Sequence, residues 1–233
     1  ANWISGVSHD IRTPLSMIMG YADRIAADKT ASEGVKEQAV IVQKQSAKIK
    51  ELVQDLNLVS QLEYEMQPLH KEMVRLSKLL RSYVADLLNT GISDSYNIGI
   101  KITPDAENAV LECDARLISR AVNNLVQNSM KHNPLGCRIL LSLRRMENTI
   151  QLIVQDDGIG LSEEKLQELK EKPHYLESTD ERLDLRHGLG LVLVRQIVAA
   201  HEGTMTIDSK INCGCKIILT FDSIDTIPKA HLS

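Results

Sequence analysis

The chain has 233 residues, 43% of them apolar and 25% charged, which allows one or two compact units with buried cores. With 27 Lys+Arg against 31 Asp+Glu the net charge is −4 and no basic run is present, so general nucleic-acid binding is excluded as a leading function. No stretch approaches the roughly 18–20 apolar residues of a membrane span, so no membrane contact by this fragment is expected; the opening Ala1–Asn2–Trp3 reads as an internal start without a signal peptide.

Ile4, Val7, Ile11, Ile18, Ala22 and Ile25 follow spacings of three, four and seven, which predicts a first helix with a narrow apolar seam. The polar stretch Asp28–Gly34 supplies a turn. A second seam runs through Val35, Val42, Ile49, Leu52, Leu56, Val59, Leu62 and Met66. Two such helices form a hairpin whose seams are half covered, and pairing with a second copy, a homodimer with a four-helix bundle, covers them best. Taken by itself, this pattern also suits a coiled-coil spacer without chemistry.

After Pro68 the texture changes. Alternating apolar patterns predict strands at 73–76, 97–103, 109–112, 137–147, 149–156, 204–209 and 215–221. Helical periodicity is expected over 77–90, 114–131, 162–171 and 188–202. That order suggests an α/β sandwich. The division expected is 1–67 for the hairpin, 68–225 for the sandwich and 226–233 for a tail without pattern. The cysteines at 113, 137, 213 and 215 fit no disulfide framework, and Cys213-Gly-Cys215 lacks the further ligands of a metal site, so reduced thiols are expected.

Ser8-His9-Asp10-Ile11-Arg12-Thr13-Pro14-Leu15 lies on the first helix. If the isoleucine seam faces the bundle, His9, two residues from both Val7 and Ile11, is turned away from it by about 200°. Thr13 follows one turn later on the same face, and Pro14 removes a helical hydrogen bond, which predicts a bend. An exposed histidine beside a carboxylate is a candidate nucleophile with its base, although a solvated histidine fits the same facts. Further along, Asn124, Asn128 and Lys131 share one face of a helix, about 10 Å long. Neutral amide oxygens there suit Mg²⁺, and a lysine suits phosphate. Asp156-Asp157-Gly158-Ile159-Gly160 follows the apolar strand 150–154, and His187-Gly188-Leu189-Gly190-Leu191 opens the helix 188–202. Glycines at a helix N-terminus let backbone N–H groups approach phosphate.

The run around His9, with Trp3 where phenylalanine is usual, resembles the H-box of bacterial two-component sensor histidine kinases. The 120–134 run resembles the N-box of the ATP-binding domain that those kinases share with gyrase, Hsp90 and MutL ATPases, and the two glycine segments resemble its glycine boxes in the family's order. The expected fold is therefore an α-helical hairpin forming a dimeric four-helix bundle, followed by an α/β sandwich ATP-binding domain of the histidine-kinase/Hsp90 type.

The resemblance implies ATP and Mg²⁺ as cofactors and phosphorylation of His9. Asp10 is then expected to assist proton transfer, and Thr13 to help place the water that dephosphorylates a response-regulator partner. It implies Asn128 as principal Mg²⁺ ligand, Asn124 near the phosphates, His132 beside the nucleotide and Asp156 as the adenine-recognising acid. A carboxylate accepts from the adenine amine but opposes the carbonyl oxygen of guanine. Gly158, Gly160, Gly188, Leu189 and Gly190 line the nucleotide, and Gly214 matches a last glycine box weakly. A cytoplasmic location, with membrane anchoring in the full-length protein, is also expected.

Two departures stand out. The aromatic anchor usual between the glycine boxes is absent, since the only phenylalanine is Phe221, and Arg186 stands where a glycine is common. Residues 171–187 are expected to form a mobile lid, with Arg182 and Arg186 as its phosphate-facing cations. The departures also motivate a rival reading, a signalling scaffold that binds ATP but phosphorylates poorly; an ATPase of the gyrase or chaperone kind is the third, which the H-box opposes. Histidines 70, 174, 201 and 231 lack motif context and are expected to be surface or packing residues.

Overall fold

The computed structural model describes residues 2–64, 68–171 and 189–223, without the side chains of 2–9 and 171. The chain divides into two compact units, one of Ala1–Gln67 with Asp184–Leu189, the other of Pro68–Leu183 with Gly190–Ser233.

The first unit is a helical hairpin of α1 (Asn2–Ala27) and α2 (Glu33–Glu63). The helix α1 continues through Pro14. Asp28 closes the connection as an Asx turn, its Oδ1 accepting from the Thr30 N–H at 2.8 Å and the Thr30 hydroxyl at 2.7 Å. The turn is shorter than expected. Ser32 is the N-cap and its carbonyl already accepts from Val35 and Lys36, so Gly34 lies inside the first turn of α2. A leading Glu33, favourable at the positive end of the helix, offsets part of the low helix propensity of that glycine.

The expected seam is buried at Ala22, Val59 and Leu62 and needs correction elsewhere. Leu15 and Ala22 on α1, and Ala39, Ser46, Asp55, Val59, Ser60 and Leu62 on α2, are buried, with Gln43 Nε2 donating to Asp23 Oδ1 at 2.6 Å across the hairpin. The expected seam residues Ile11, Ile18, Ile25, Val35, Val42 and Ile49 are 37–46% exposed. Each helix thus carries two adjacent stripes, and these six branched side chains lie on the uncovered one. At Ala22, Ala39 and Ser46 the inward side chains are small.

The second unit holds β1 (Glu72–Arg75), α3 (Leu76–Asn89), β2 (Asn97–Ile102), β3 (Val110–Cys113), α4 (Ala115–His132), β4 (Arg138–Met146), β5 (Thr149–Asp156), α5 (Glu163–Glu171), α6 (Leu189–Ala200), β6 (Thr204–Ser209) and β7 (Cys215–Asp222). These bounds match the periodicity to within one or two residues. Strands β1 and β3 form a small antiparallel pair, and the main sheet runs β2-β4-β5-β7-β6, with only β2–β4 parallel. Alternation decides its faces. Ile139, Leu141, Leu143, Ile150, Leu152, Val154, Leu219 and Phe221 point to the side where α3 and α4 pack. The opposite face carries Ser142, Gln151, Thr206 and Thr220. The helix α6 adds Leu193, Val194 and Ile197 to the core.

The start of α4 is pinned by a buried hub. Asp114 caps the helix, accepting from the N–H groups of Arg116 and Leu117, while its other oxygen accepts from the His70 N–H. Burial pushes this carboxyl up, but those hydrogen bonds and the Arg116 charge bring it below the ordinary carboxylate value. The Asp114 N–H donates in turn to His201 Nε2 at 3.0 Å, and His201 Nδ1 reaches the Ile197 carbonyl at 2.7 Å. His201 is thus a packing histidine.

Candidate active site

The last two turns of α4 and the loop after β5 meet around one carboxylate. Asp156 ends β5 and is only 5% exposed. Its Oδ2 accepts from the Ser129 hydroxyl at 2.8 Å; its Oδ1 accepts from the backbone N–H groups of Gly158 at 3.0 Å and Cys215 at 3.3 Å. Three donors hold it in place, and a buried carboxylate so held is an acceptor aimed by its surroundings. Asp157 turns the other way. Exposed, it accepts from the Arg138 N–H at 2.8 Å and serves the β4–β5 pairing.

The loop is fixed to α4 by Asn133. This buried residue ends the helix, its Nδ2 donating to the Ser129 carbonyl at 2.8 Å in place of a continuing backbone N–H. Its Oδ1 accepts from the Ile159 N–H at 2.9 Å. A Cβ on Gly158 would collide with that amide, so glycine is needed there for the approach of loop to helix. Gly214, at φ +79°, sits against the Asp156 carbonyl where a Cβ would also collide. Burial pushes the neighbouring Cys215 thiol up to about 11, with Asp156 adding to the effect.

The structure brings Asn124 and Asn128 to the start of α6. A Cβ on Gly190 would lie 3.2 Å from Asn124 Oδ1 and 3.5 Å from the Asn128 amide atoms, so its absence leaves an amide-lined face beside a helix N-terminus. Asn124 Nδ2 donates to the Arg120 carbonyl at 3.0 Å, which leaves its oxygen toward Gly190. Neutral oxygens so placed fit a Mg²⁺–triphosphate. Lys131 and His132 follow, exposed, in the last turn of α4, and Leu189 is the first residue of α6. Gly160, at φ +63°, completes the loop turn.

On α1, Asp10 and Thr13 are exposed. His9 lies on the helix backbone one turn before Thr13, its side chain outside the described residues. Also outside are Arg182, Arg186, His187 and Gly188 with the expected lid, as are Met66, His174 and the tail with His231. Sequence reasoning gave Ser129 and Asn133 no part. The one available signal was a hydroxyl four residues after Leu125, on the buried stripe of α4, where it needs a buried partner.

Residues 1–65 match the model of the His Kinase A (phospho-acceptor) domain, and residues 113–224 match that of the histidine kinase-, DNA gyrase B- and HSP90-like ATPase. The sensor histidine kinase YvrG of Bacillus subtilis is 30% identical over 221 residues, covering 94% of this chain and 38% of that protein. The chain spans under half the length of the curated relatives it matches. Full-length ShkA, solved with AMPPNP, superposes with a TM-score of 0.78 at 19% identity, covering 97% of this chain and 46% of that one. ThkA in complex with the response regulator TrrA gives 0.64 at 21% identity, with 96% and 62% covered. With a phospho-acceptor hairpin followed by an ATPase-type sandwich, the chain belongs to the sensor histidine kinase family.

Proposed function

We propose that this chain is a kinase core that transfers the γ-phosphoryl group of ATP to His9 and then to an aspartate of a response regulator. The observation that carries the reading is the buried Asp156, held by Ser129, Gly158 and Cys215 beside a helix face bearing Asn124 and Asn128. In this reading Asp156 accepts from the adenine amine, and the Gly158 and Gly160 loop lies against the base. Asn124, Lys131, Leu189, Gly190 and, beyond the described residues, Arg186 and Gly188 face the phosphates, while His132 lies beside the nucleotide. Asn128 would hold Mg²⁺, which when bound offsets phosphate charge.

Neutral His9 is the nucleophile. Its ring nitrogen forms a bond to the γ-phosphorus while the bond from that phosphorus to the bridging oxygen of ADP breaks, and Asp10 accepts the proton from the ring. Positioning supplies most of the barrier lowering in such transfers. The carboxylate of the regulator then displaces His9 from phosphorus. The solved ThkA–TrrA complex supports a receiver partner of this kind. Thr13 places water against the phospho-aspartate for the reverse signal. The active form is a homodimer, located in the cytoplasm and anchored to a membrane through chain outside this stretch. Among the described residues no helix is long and apolar enough to span a membrane.

Incubation with γ-labelled ATP tests the reading. Acid-labile, alkali-stable label on the wild type that is absent from His9→Gln is the expected outcome. Free phosphate in place of labelled protein identifies an ATPase, and neither product identifies a scaffold.

A further inference from the structure

We propose that Ser129 and Asn133 determine the base specificity of the nucleotide site, by fixing which lone pairs of Asp156 meet the purine; this rests on the reading that Asp156 receives adenine. Both Asp156 oxygens are engaged. Oδ1 takes two backbone donors, so its position follows the loop and β7. Among the described residues Oδ2 has one protein donor, the Ser129 hydroxyl at 2.8 Å. The carboxylate plane is therefore set by a side chain on α4, 27 residues away in sequence. With the hydroxyl spent on Oδ2, the remaining lone pair of that oxygen points in one direction and is an acceptor.

Asn133 keeps donor and acceptor in register. Its single amide joins the Ser129 carbonyl to the Ile159 N–H, so the turn bearing Ser129 and the loop bearing Gly158 cannot shift independently. The task needs a donor and an acceptor on one planar group. Aspartate has no donor for the Ser129 carbonyl, and alanine has neither. A purine with a 6-amino donor then finds a preset acceptor. One with a 6-oxo acceptor finds like against like, and one with hydrogen at that position finds a carboxylate without its partner.

The full chain is titrated with ATP, GTP and purine riboside triphosphate, which lacks the 6-amino group, each with Mg²⁺. The wild type should prefer ATP over the 6-hydrogen analogue by roughly ten- to hundredfold, the worth of a hydrogen bond to a charged group. Ser129→Ala should lower that ratio about fivefold or more, with most of the loss in ATP affinity and little in the analogue. Asn133→Ala should lower it in the same sense, and it serves as the test should Ser129→Ala fail to fold. Equal weakening of ATP and the analogue would make both residues packing groups and overturn the proposal, as would an unchanged ratio. Asp156→Asn is the control: if it leaves ATP affinity intact, the adenine reading has failed, and the specificity proposal with it.

Discussion

Asp156 shows how one carboxylate is given a single job by its hydrogen bonds. In Asp156→Asn the amide oxygen is drawn to the Oδ1 position, because the Gly158 and Cys215 N–H groups both require an acceptor there. The NH₂ then occupies the Oδ2 position. The Ser129 hydroxyl can turn to accept from it, but in the proposed reading the adenine amine meets it donor to donor. ATP affinity measured by titration should therefore fall by roughly a hundredfold or more, the scale of a charged hydrogen bond lost and a buried mismatch gained. The melting temperature should change little, since the anchoring bonds survive. Asn128→Asp differs in kind: in the proposed reading it adds charge beside the phosphates and should change the Mg²⁺ concentration needed for binding more than adenine recognition. Arg186→Ala should weaken ATP more than ADP in the same titration, if its guanidinium meets the γ-phosphate; equal effects on both would make Arg186 a surface cation.

The helix α4 connects stability at one end to the site at the other. At its start, His201 accepts from the Asp114 N–H and donates to the Ile197 carbonyl, a pattern open only to the neutral ring. Burial chiefly, with the Lys71 charge, lowers its pKa below the ordinary 6.5, against the opposing effects of the Ile197 carbonyl and Asp114. The unfolded chain then takes up the proton first, so this contribution is complete above about pH 6.5 and is lost as pH falls below it. His201→Ala should cost about 1–3 kcal/mol in denaturant unfolding at pH 7.5, for the orphaned Asp114 N–H, and should flatten the decline toward pH 5. Elements of this kind were legible because β4 and β7 alternate against one packed face and α4 shows its own period. The partners of Ser129, Asn133 and His201 were not. They lie 27, 26 and 87 residues away in sequence, and a polar residue on a buried stripe announces that it needs a partner without saying which. The expectation that the two glycine segments approach phosphate or base rested only on their order along the chain. On α1, Thr13 is exposed one turn from His9. Thr13→Ala should retain labelling of His9 while losing dephosphorylation of the regulator; loss of both would give the side chain a structural task instead.

The hairpin cannot be completed by one copy of the chain. Its inner stripe, with Leu15, Ala22, Ala39 and Ser46, is buried, while Ile11, Ile18, Ile25, Val35, Val42 and Ile49 stand 37–46% exposed on the neighbouring stripe. The seven-residue interval in each row is what a straight seam between helices requires, and six branched apolar side chains in two such rows form more than the scattered exposure normal for a surface. Period alone could not divide the stripes, because Leu15 and Ala22 obey the same heptad as Ile11 and Ile18. Burial does divide them: Leu15, Ala22, Ala39 and Ser46 are taken up within the hairpin, and the six branched side chains are left for another pair of helices. A second copy offers two identical rows and closes a four-helix bundle by two-fold symmetry. Ile18→Asp places a charge at the middle of the α1 row without touching the inner stripe. Sedimentation equilibrium at micromolar concentration should then change from dimer to monomer, while helicity by circular dichroism and ATP affinity of the sandwich stay as in the wild type. A variant that remains dimeric over the same concentration range would place the association on another surface and leave these isoleucines for a different partner.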